Sequence, residues 1–188
     1  MTAAQRFFDL ALAVLLLPVA VPVTLAGALL VKLTSDGPAI FAQDRVGYRQ
    51  SVFRCYKLRT MTVGTRTGLS HEVGTSHITP VGRWLRRLKV DELPQLWNVF
   101  RGDMRFVGPR PGLPGDKALI AAREKAGVFE IVPGITGLAQ VNGVDMSDPE
   151  KLAAWDARYM QTASIGTDLK LIVQTAIGGG RGDATTRK

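Results

Sequence analysis

The chain has 188 residues, 46% of them hydrophobic, and 24 Lys and Arg against 16 Asp and Glu give it a formal charge of +8. That size suits one compact domain with an appendage. One cysteine, Cys55, and two widely spaced histidines exclude a disulfide framework and a zinc motif, and they point to a reducing compartment.

The charge is unevenly placed. Between Arg45 and Arg110 lie thirteen basic residues and four acids, so this third of the chain carries the whole excess. Its partner is expected to be anionic: nucleic acid, a phosphorylated metabolite or an acidic lipid headgroup.

From Leu10 to Val31 no residue is charged. As a helix these residues would extend roughly 33 Å, enough for a hydrocarbon core of roughly 30 Å. A cleaved signal peptide fits less well, because Asp9 sits beside Arg6 and the apolar run exceeds a usual signal core. Pro18 and Pro22 fall near the middle, where each removes a backbone donor and should kink or break the helix. Two topologies follow. One is a kinked helix that crosses the bilayer. The other is a re-entrant hairpin that turns at the prolines, with Arg6 and Lys32 in one headgroup layer. Length and charge leave both open.

The segment TSDGP marks a loop, after which AIFAQDRVG and SVFRCYKLRTM read as two short strands around a turn at residues 47–50. Residues 62–80 lack apolar periodicity and read as a mobile loop that holds His71 and His77, both expected to be solvated. Val81, Trp84, Leu85 and Leu88 then follow helical spacing, with Arg83, Arg86 and Arg87 opposite. Leu93, Leu96, Trp97 and Phe100 form a second stripe. Two successive amphipathic helices of this kind suit a membrane interface, although Trp84 and Trp97, taken singly, are expected in the core. GDMRFVGPRPGLPGD reads as a rigid loop, residues 116–126 as a helix, and PGITGLAQVNG as a loop or short strand. SDPEKLAAWDARYM opens a helix capped at Ser147 or Asp148. DLKLIVQTAIGG is a last apolar helix that could serve a homodimer, and residues 178–188 read as a disordered tail. No internal repeat and no second globular domain is visible.

The acids Asp91 and Glu92 stand inside the most basic region, in LKVDELPQLW. Asp, Glu and Pro in this order are ordinary helix-start residues, so the two acids could serve only as a cap. The alternative is chemical. Backbone amides and cations on both sides would hold Asp91 ionised, as a phosphoryl acceptor must be, and Glu92 could hold Mg²⁺. Arginines would neutralise the diphosphate under attack.

KLRTM (57–61), GRWLRRLKVDELPQLWNVFRGDM (82–104), VGPRP (107–111) and PGITGLAQVNG (133–143) together resemble the bacterial sugar transferases, the monotopic phosphoglycosyl transferases. The resemblance runs from about Gln5 to Ala176 and looks like the short, catalytic-core form. It implies that Asp91 attacks the β-phosphate of a UDP-sugar to give a covalent phosphosugar-aspartyl enzyme, which undecaprenyl phosphate then discharges. Glu92 would bind Mg²⁺ beside Asp91. Arg86 and Arg110 would contact phosphate. Apart from the resemblance, Lys57 and Arg59 could reach phosphate or a lipid headgroup, and Gln140 is a further substrate-binding candidate. The resemblance also implies a re-entrant helix broken at Pro22, with Pro18 adding strain, and a site on the cytoplasmic face of the bacterial inner membrane. Three positions depart from the family pattern: Val21 replaces a serine, Arg105 a serine and Val144 an arginine. The latter could change donor choice if it touches the nucleotide or sugar.

The expected architecture is α/β, mostly α with a few short strands. Residues 1–34 would form the re-entrant membrane segment, 35–177 the catalytic domain and 178–188 the tail, with interfacial amphipathic helices beside the membrane. Asn98 and Tyr159 with Asp156 are expected to serve packing rather than chemistry, as are Gln43 and Arg45; Asp103 lies near the site. A membrane-anchored protein that only binds anionic lipid or nucleic acid is the competing function, and two carboxylates inside its basic stripe argue against it. A permease lacks further spans, and the apolar segment leaves no role for nucleic acid. Which UDP-sugar is used stays open.

Overall fold

The structure, a computed structural model, describes residues 1–65 and 77–178. It is mostly helical with a few short strands. Helix α1 (Ala3–Thr34) opens at Thr2, whose hydroxyl accepts from the Gln5 amide while the Gln5 side chain accepts from the Thr2 amide. This reciprocal cap satisfies two of the otherwise orphaned first-turn donors.

Helical conformation continues through Pro18 and Pro22 to Thr34, so the break expected at Pro22 is absent. Packing offers the reason. Asp9, Ala13, Ala20, Gly27 and Val31 form one buried stripe that runs past both prolines against the rest of the fold. The other side of α1 is exposed and apolar, including Phe7, Leu15, Val19, Leu25 and Leu33. Arg6, expected at a headgroup layer, instead donates to the carbonyls of Val99 and Phe100. It thereby caps the carboxyl end of a helix in the folded domain.

Strands β1 (Ile40–Val46) and β2 (Val52–Leu58) pair antiparallel from Ile40↔Leu58 to Val46↔Val52, as their alternation predicts. The turn between them holds two left-handed residues, Arg49 and Gln50. The ends of the following loop meet where Met61 bridges Ile78 and the Thr62 amide donates to the His77 carbonyl. His77 is exposed, as expected, whereas His71 lies outside the described residues.

Helix α2 (Pro80–Arg87) starts at Thr79, whose hydroxyl caps the Gly82 amide. A Cβ on Gly82 would lie 2.1 Å from the Thr60 carbonyl oxygen, so only glycine lets α2 approach the end of the hairpin this closely. The apolar stripe of α2 divides. Leu85 packs with Leu58 and Val31, while Trp84 and Leu88 are each 64% exposed. Trp97 is 58% exposed, so neither tryptophan is a core residue. A 3-10 turn (Val90–Gln95) leads into helix α3 (Leu96–Arg101), which ends at Gly102 in the left-handed conformation.

The loop expected after α3 contains a strand. β3 (Arg105–Val107) pairs in parallel with β4 (Gly134–Thr136), in register Arg105↔Gly134 and Val107↔Thr136. Added Cβ atoms would meet backbone at 2.1 Å on Gly134 and 2.5 Å on Gly108, so the VGPRP and PGITG segments cross backbone to backbone. Helix α4 (Lys117–Lys125) is capped by Asp116 and α6 (Pro149–Thr162) by Asp148, both within the predicted boundaries. Between them α5 (Leu138–Val141) is a single turn. Val144 is buried against Leu119, Ala139 and Leu152. Helix α7 (Ile165–Ala176) buries Asp168 and Leu171 and exposes Leu169 and Val173. Most of the predicted tail, residues 179–188, lies outside the described residues.

Arg105 joins three of these elements. Its guanidinium meets Asp9 of α1 at 2.7 Å and Asp168 of α7 at 2.8 Å, and the Tyr159 hydroxyl of α6 donates to Asp168 at 2.6 Å. All four side chains are buried. Burial and the adjacent Asp168 push the Tyr159 phenol up, so it remains a donor. Arg123 and Asp156 form a second buried pair, at 2.7 Å, that ties α4 to α6.

Candidate active site

Asp91 and Glu92 lie in the first turn of the 3-10 segment, directly after Lys89, which is left-handed at φ 56°. The reversal at Lys89 ends α2 and turns the acidic pair back against strand β2. Lys57 of β2 reaches Glu92 Oε1 at 2.9 Å, and Arg110 reaches the same oxygen at 3.1 Å. Burial works against ionisation of Glu92, but Lys57 and Arg110 outweigh it and hold the carboxyl well below the usual carboxylate range.

Asp91 is placed differently. Only 7% of it is exposed, yet no hydrogen bond or ion pair among the described residues engages its carboxylate. It therefore does not cap a helix, and no backbone amide holds it, contrary to both readings of the sequence. Burial raises its pKa, with the charge of Glu92 adding to the rise and Lys57, Arg86 and Arg110 opposing it. An aspartate desolvated in this way is more basic than one in water, and it faces three cations without being consumed by any of them.

Two supports aim the cations. Arg86 donates from Nε to Thr60 Oγ1 at 2.9 Å, across the close approach that Gly82 permits. Arg110 sits in the VGPRP loop, which the hairpin grips. Arg45 donates to the Pro111 carbonyl at 3.1 Å and to Gln43 Oε1 at 2.7 Å, and the Val46 amide donates to the Gly112 carbonyl. Gln43 and Arg45 are thus positioning residues, as expected. Asn98 is structural too, since it accepts from the Tyr56 amide and donates to the Arg54 carbonyl and to Asp103.

The fold brings Asp91, Glu92, Lys57, Arg86 and Arg110 together. Arg59 and Gln140 lie apart from this cluster in their contacts: Arg59 bonds to Ser35, and Gln140 donates to the Ile135 carbonyl while its Oε1 is buried without a partner. Thr60 escaped the sequence reading, and no spacing signal marks it; only the fold shows that it carries Arg86.

Among the described residues no group of three or more His, Cys, Asp or Glu side chains could form a metal site by itself. The donor set does fit an ion that takes one or two carboxylates and fills its remaining positions with substrate phosphate oxygens and water, as Mg²⁺ does. Asp91 and the second oxygen of Glu92 are without hydrogen-bond partners among the described residues.

Comparison with known proteins agrees with this geometry. The model of the bacterial sugar transferase family matches residues 1–179. An undecaprenyl-phosphate glucose phosphotransferase of Komagataeibacter xylinus is 40% identical over 185 residues, covering 91% of this chain and 35% of its own length. A UDP-glucose:undecaprenyl-phosphate glucose-1-phosphate transferase of Caulobacter vibrioides is 41% identical over 182 residues, 91% of this chain and 67% of that one. An uncharacterised sugar transferase of Bacillus subtilis is 37% identical over 171 residues, covering 91% and 84%. The chain thus spans about a third of the first relative and larger shares of the other two. A family match over nearly every residue, on a fold that gathers the acidic pair with its cations, shows that this chain belongs to the bacterial sugar transferase family.

Proposed function

We propose that the protein transfers a sugar 1-phosphate from a UDP-sugar to undecaprenyl phosphate through an aspartyl intermediate. The observation that carries this reading is the contrast within the acidic pair: Glu92 is bridged by two cations, and Asp91 is buried beside it with no hydrogen bond or ion pair among the described residues. In the first half-reaction an Asp91 carboxylate oxygen bonds to the β-phosphorus of the UDP-sugar. The bond from that phosphorus to the bridging oxygen breaks, and UMP leaves with the electron pair. Lys57, Arg86 and Arg110 offset the negative charge that gathers on the phosphoryl oxygens. In the second half-reaction an oxygen of the lipid phosphate attacks the same phosphorus and releases the Asp91 carboxylate. No general base is required, because both nucleophiles are anions. Asp91 and Glu92 would hold Mg²⁺, which supplies further neutralisation of phosphate charge.

The long apolar helix α1 supports a membrane anchor. At roughly 1.5 Å per residue its 32 residues extend about 48 Å. Both ends of the helix nevertheless rest on the same folded domain: Arg6 and Asp9 on α3 and β3, Val31 and Ser35 on the hairpin. A helix held along its length in this way stays on one side of the bilayer, with its exposed apolar face toward lipid and Trp84 and Leu88 of α2 at the interface. We place the domain on the cytoplasmic face of the bacterial inner membrane.

The test is a UDP-sugar panel assayed for UMP with undecaprenyl phosphate and Mg²⁺. UDP-glucose comes first, because two relatives carry glucose in their names. At least one donor is expected to release UMP in step with formation of lipid-linked sugar. Absence of UMP with every donor would contradict the proposal.

A further inference from the structure

Arg59 is buried, with 7% of its surface exposed. Its Nη2 donates to the carbonyl and hydroxyl of Ser35, just past the end of α1. Its Nε and Nη1 are buried and have no partner. The comparison with other buried arginines is informative. Arg105 faces Asp9 and Asp168, and Arg123 faces Asp156, whereas Arg59 meets no carboxylate among the described residues. A guanidinium taken out of water without a counter-charge is costly, and two unsatisfied nitrogens add to the cost. A guanidinium in this setting can take up an anion through Nε and Nη1.

Its place indicates which anion. The Arg59 amide donates to the Ala39 carbonyl at 2.8 Å, continuing the hairpin ladder one step beyond Ile40↔Leu58. Arg59 therefore shares a face of the ribbon with Lys57, about 7 Å further along. Lys57 holds Glu92, and the next residue, Thr60, holds Arg86. Gly37, at φ +98°, packs against the guanidinium, since a Cβ there would stand 2.5 Å from Nη1. Leu30 and Leu33 of α1, with Ile40 and Val63, are exposed and apolar. Arg59 thus stands between the catalytic cations and the apolar end of the membrane helix, where the charged end of a lipid would arrive.

We infer that Arg59 is the seat for the phosphate monoester of the lipid acceptor, holding it one strand step from the Asp91 site until it attacks. This assignment rests on the function proposed above. A phospholipid headgroup offers related chemistry, and the experiment separates the two.

The full chain is reconstituted in phosphatidylcholine nanodiscs with a UDP-sugar that it turns over, and undecaprenyl phosphate is varied. For Arg59→Gln the KM for undecaprenyl phosphate is expected to rise about tenfold or more, the worth of one charge-assisted hydrogen bond. Its kcat and its KM for UDP-sugar are expected to change much less. Arg59→Lys keeps the cation and is expected to fall between the two proteins; if the Gln variant does not fold, the raised KM of the Lys variant carries the test. An unmoved KM in the variants, or a loss confined to kcat, would overturn the assignment. So would a rise of the wild-type KM to the variant's level when phosphatidylglycerol is added, because the seat would then belong to phospholipid headgroups. Absence of turnover in the wild type would instead refute the proposed function, before Arg59 is reached.

Discussion

Asp91→Asn is expected to lower UMP release from UDP-sugar by roughly four orders of magnitude or more, the scale on which covalent enzymes lose activity when the nucleophile is removed. The same change is expected to leave the melting temperature unchanged or higher. Burial raises the Asp91 pKa in the folded protein despite the opposing charges of Lys57, Arg86 and Arg110, and no hydrogen bond among the described residues engages its carboxylate. A carboxyl raised in this way costs stability once the pH exceeds its folded pKa, and that cost is relieved as the pH falls through it. Asparagine removes the cost at neutral pH. A matching acid limb is expected in the wild-type half-reaction, displaced upward from the ordinary aspartate range, because only ionised Asp91 can attack. A variant that keeps normal UMP release, or one that melts several degrees lower, would show that Asp91 serves structure instead.

Arg105→Leu should produce the largest loss of stability, roughly 3–5 kcal/mol, the usual cost of stranding buried charge. Both of its carboxylate partners are inaccessible, at 1% and 0% side-chain exposure. They come from opposite ends of the chain, so the loss should free the first turns of α1 from β3 and α7. Denaturant unfolding in detergent checks the magnitude, and hydrogen exchange at residues 3–13 checks the place. Adding Asp9→Asn should recover part of the loss, since one of the two stranded charges is then gone. A cost below about 1 kcal/mol for Arg105→Leu would mean that the network contributes little.

The hairpin was readable because its alternation and its turn are local. The N-caps of α4 and α6 were readable for the same reason, as Asp116 and Asp148 act within three residues. β3 was not, because it has three residues and pairs with a strand about 29 positions away, while β4 was legible only as one alternative, a loop or short strand. Trp84 and Trp97 were misplaced since an apolar stripe looks alike whether it faces a core or lipid. The residue types of the site were legible in the order of DELPQ and VGPRP, but its electrostatics were not. Lys57 and Glu92 are 35 positions apart, and nothing in the sequence says that Lys57 and Arg110 both bond to Glu92 rather than to Asp91. Arg105 reads as a basic residue near the site, but its partners lie 96 and 63 positions away and turn it into the core. Pro18 and Pro22 predict a break from local physics, and the buried stripe of α1, a tertiary feature, holds the helix through them.

The most direct measurement is the intact mass of the protein after mixing with a reactive UDP-sugar in the absence of lipid acceptor. The account predicts a mass increase equal to one sugar phosphate, located on the peptide containing Asp91, formed together with UMP and removed when undecaprenyl phosphate is added. UMP that appears only when the acceptor is present, with no adduct at any time, would mean direct transfer between the two substrates and would contradict it.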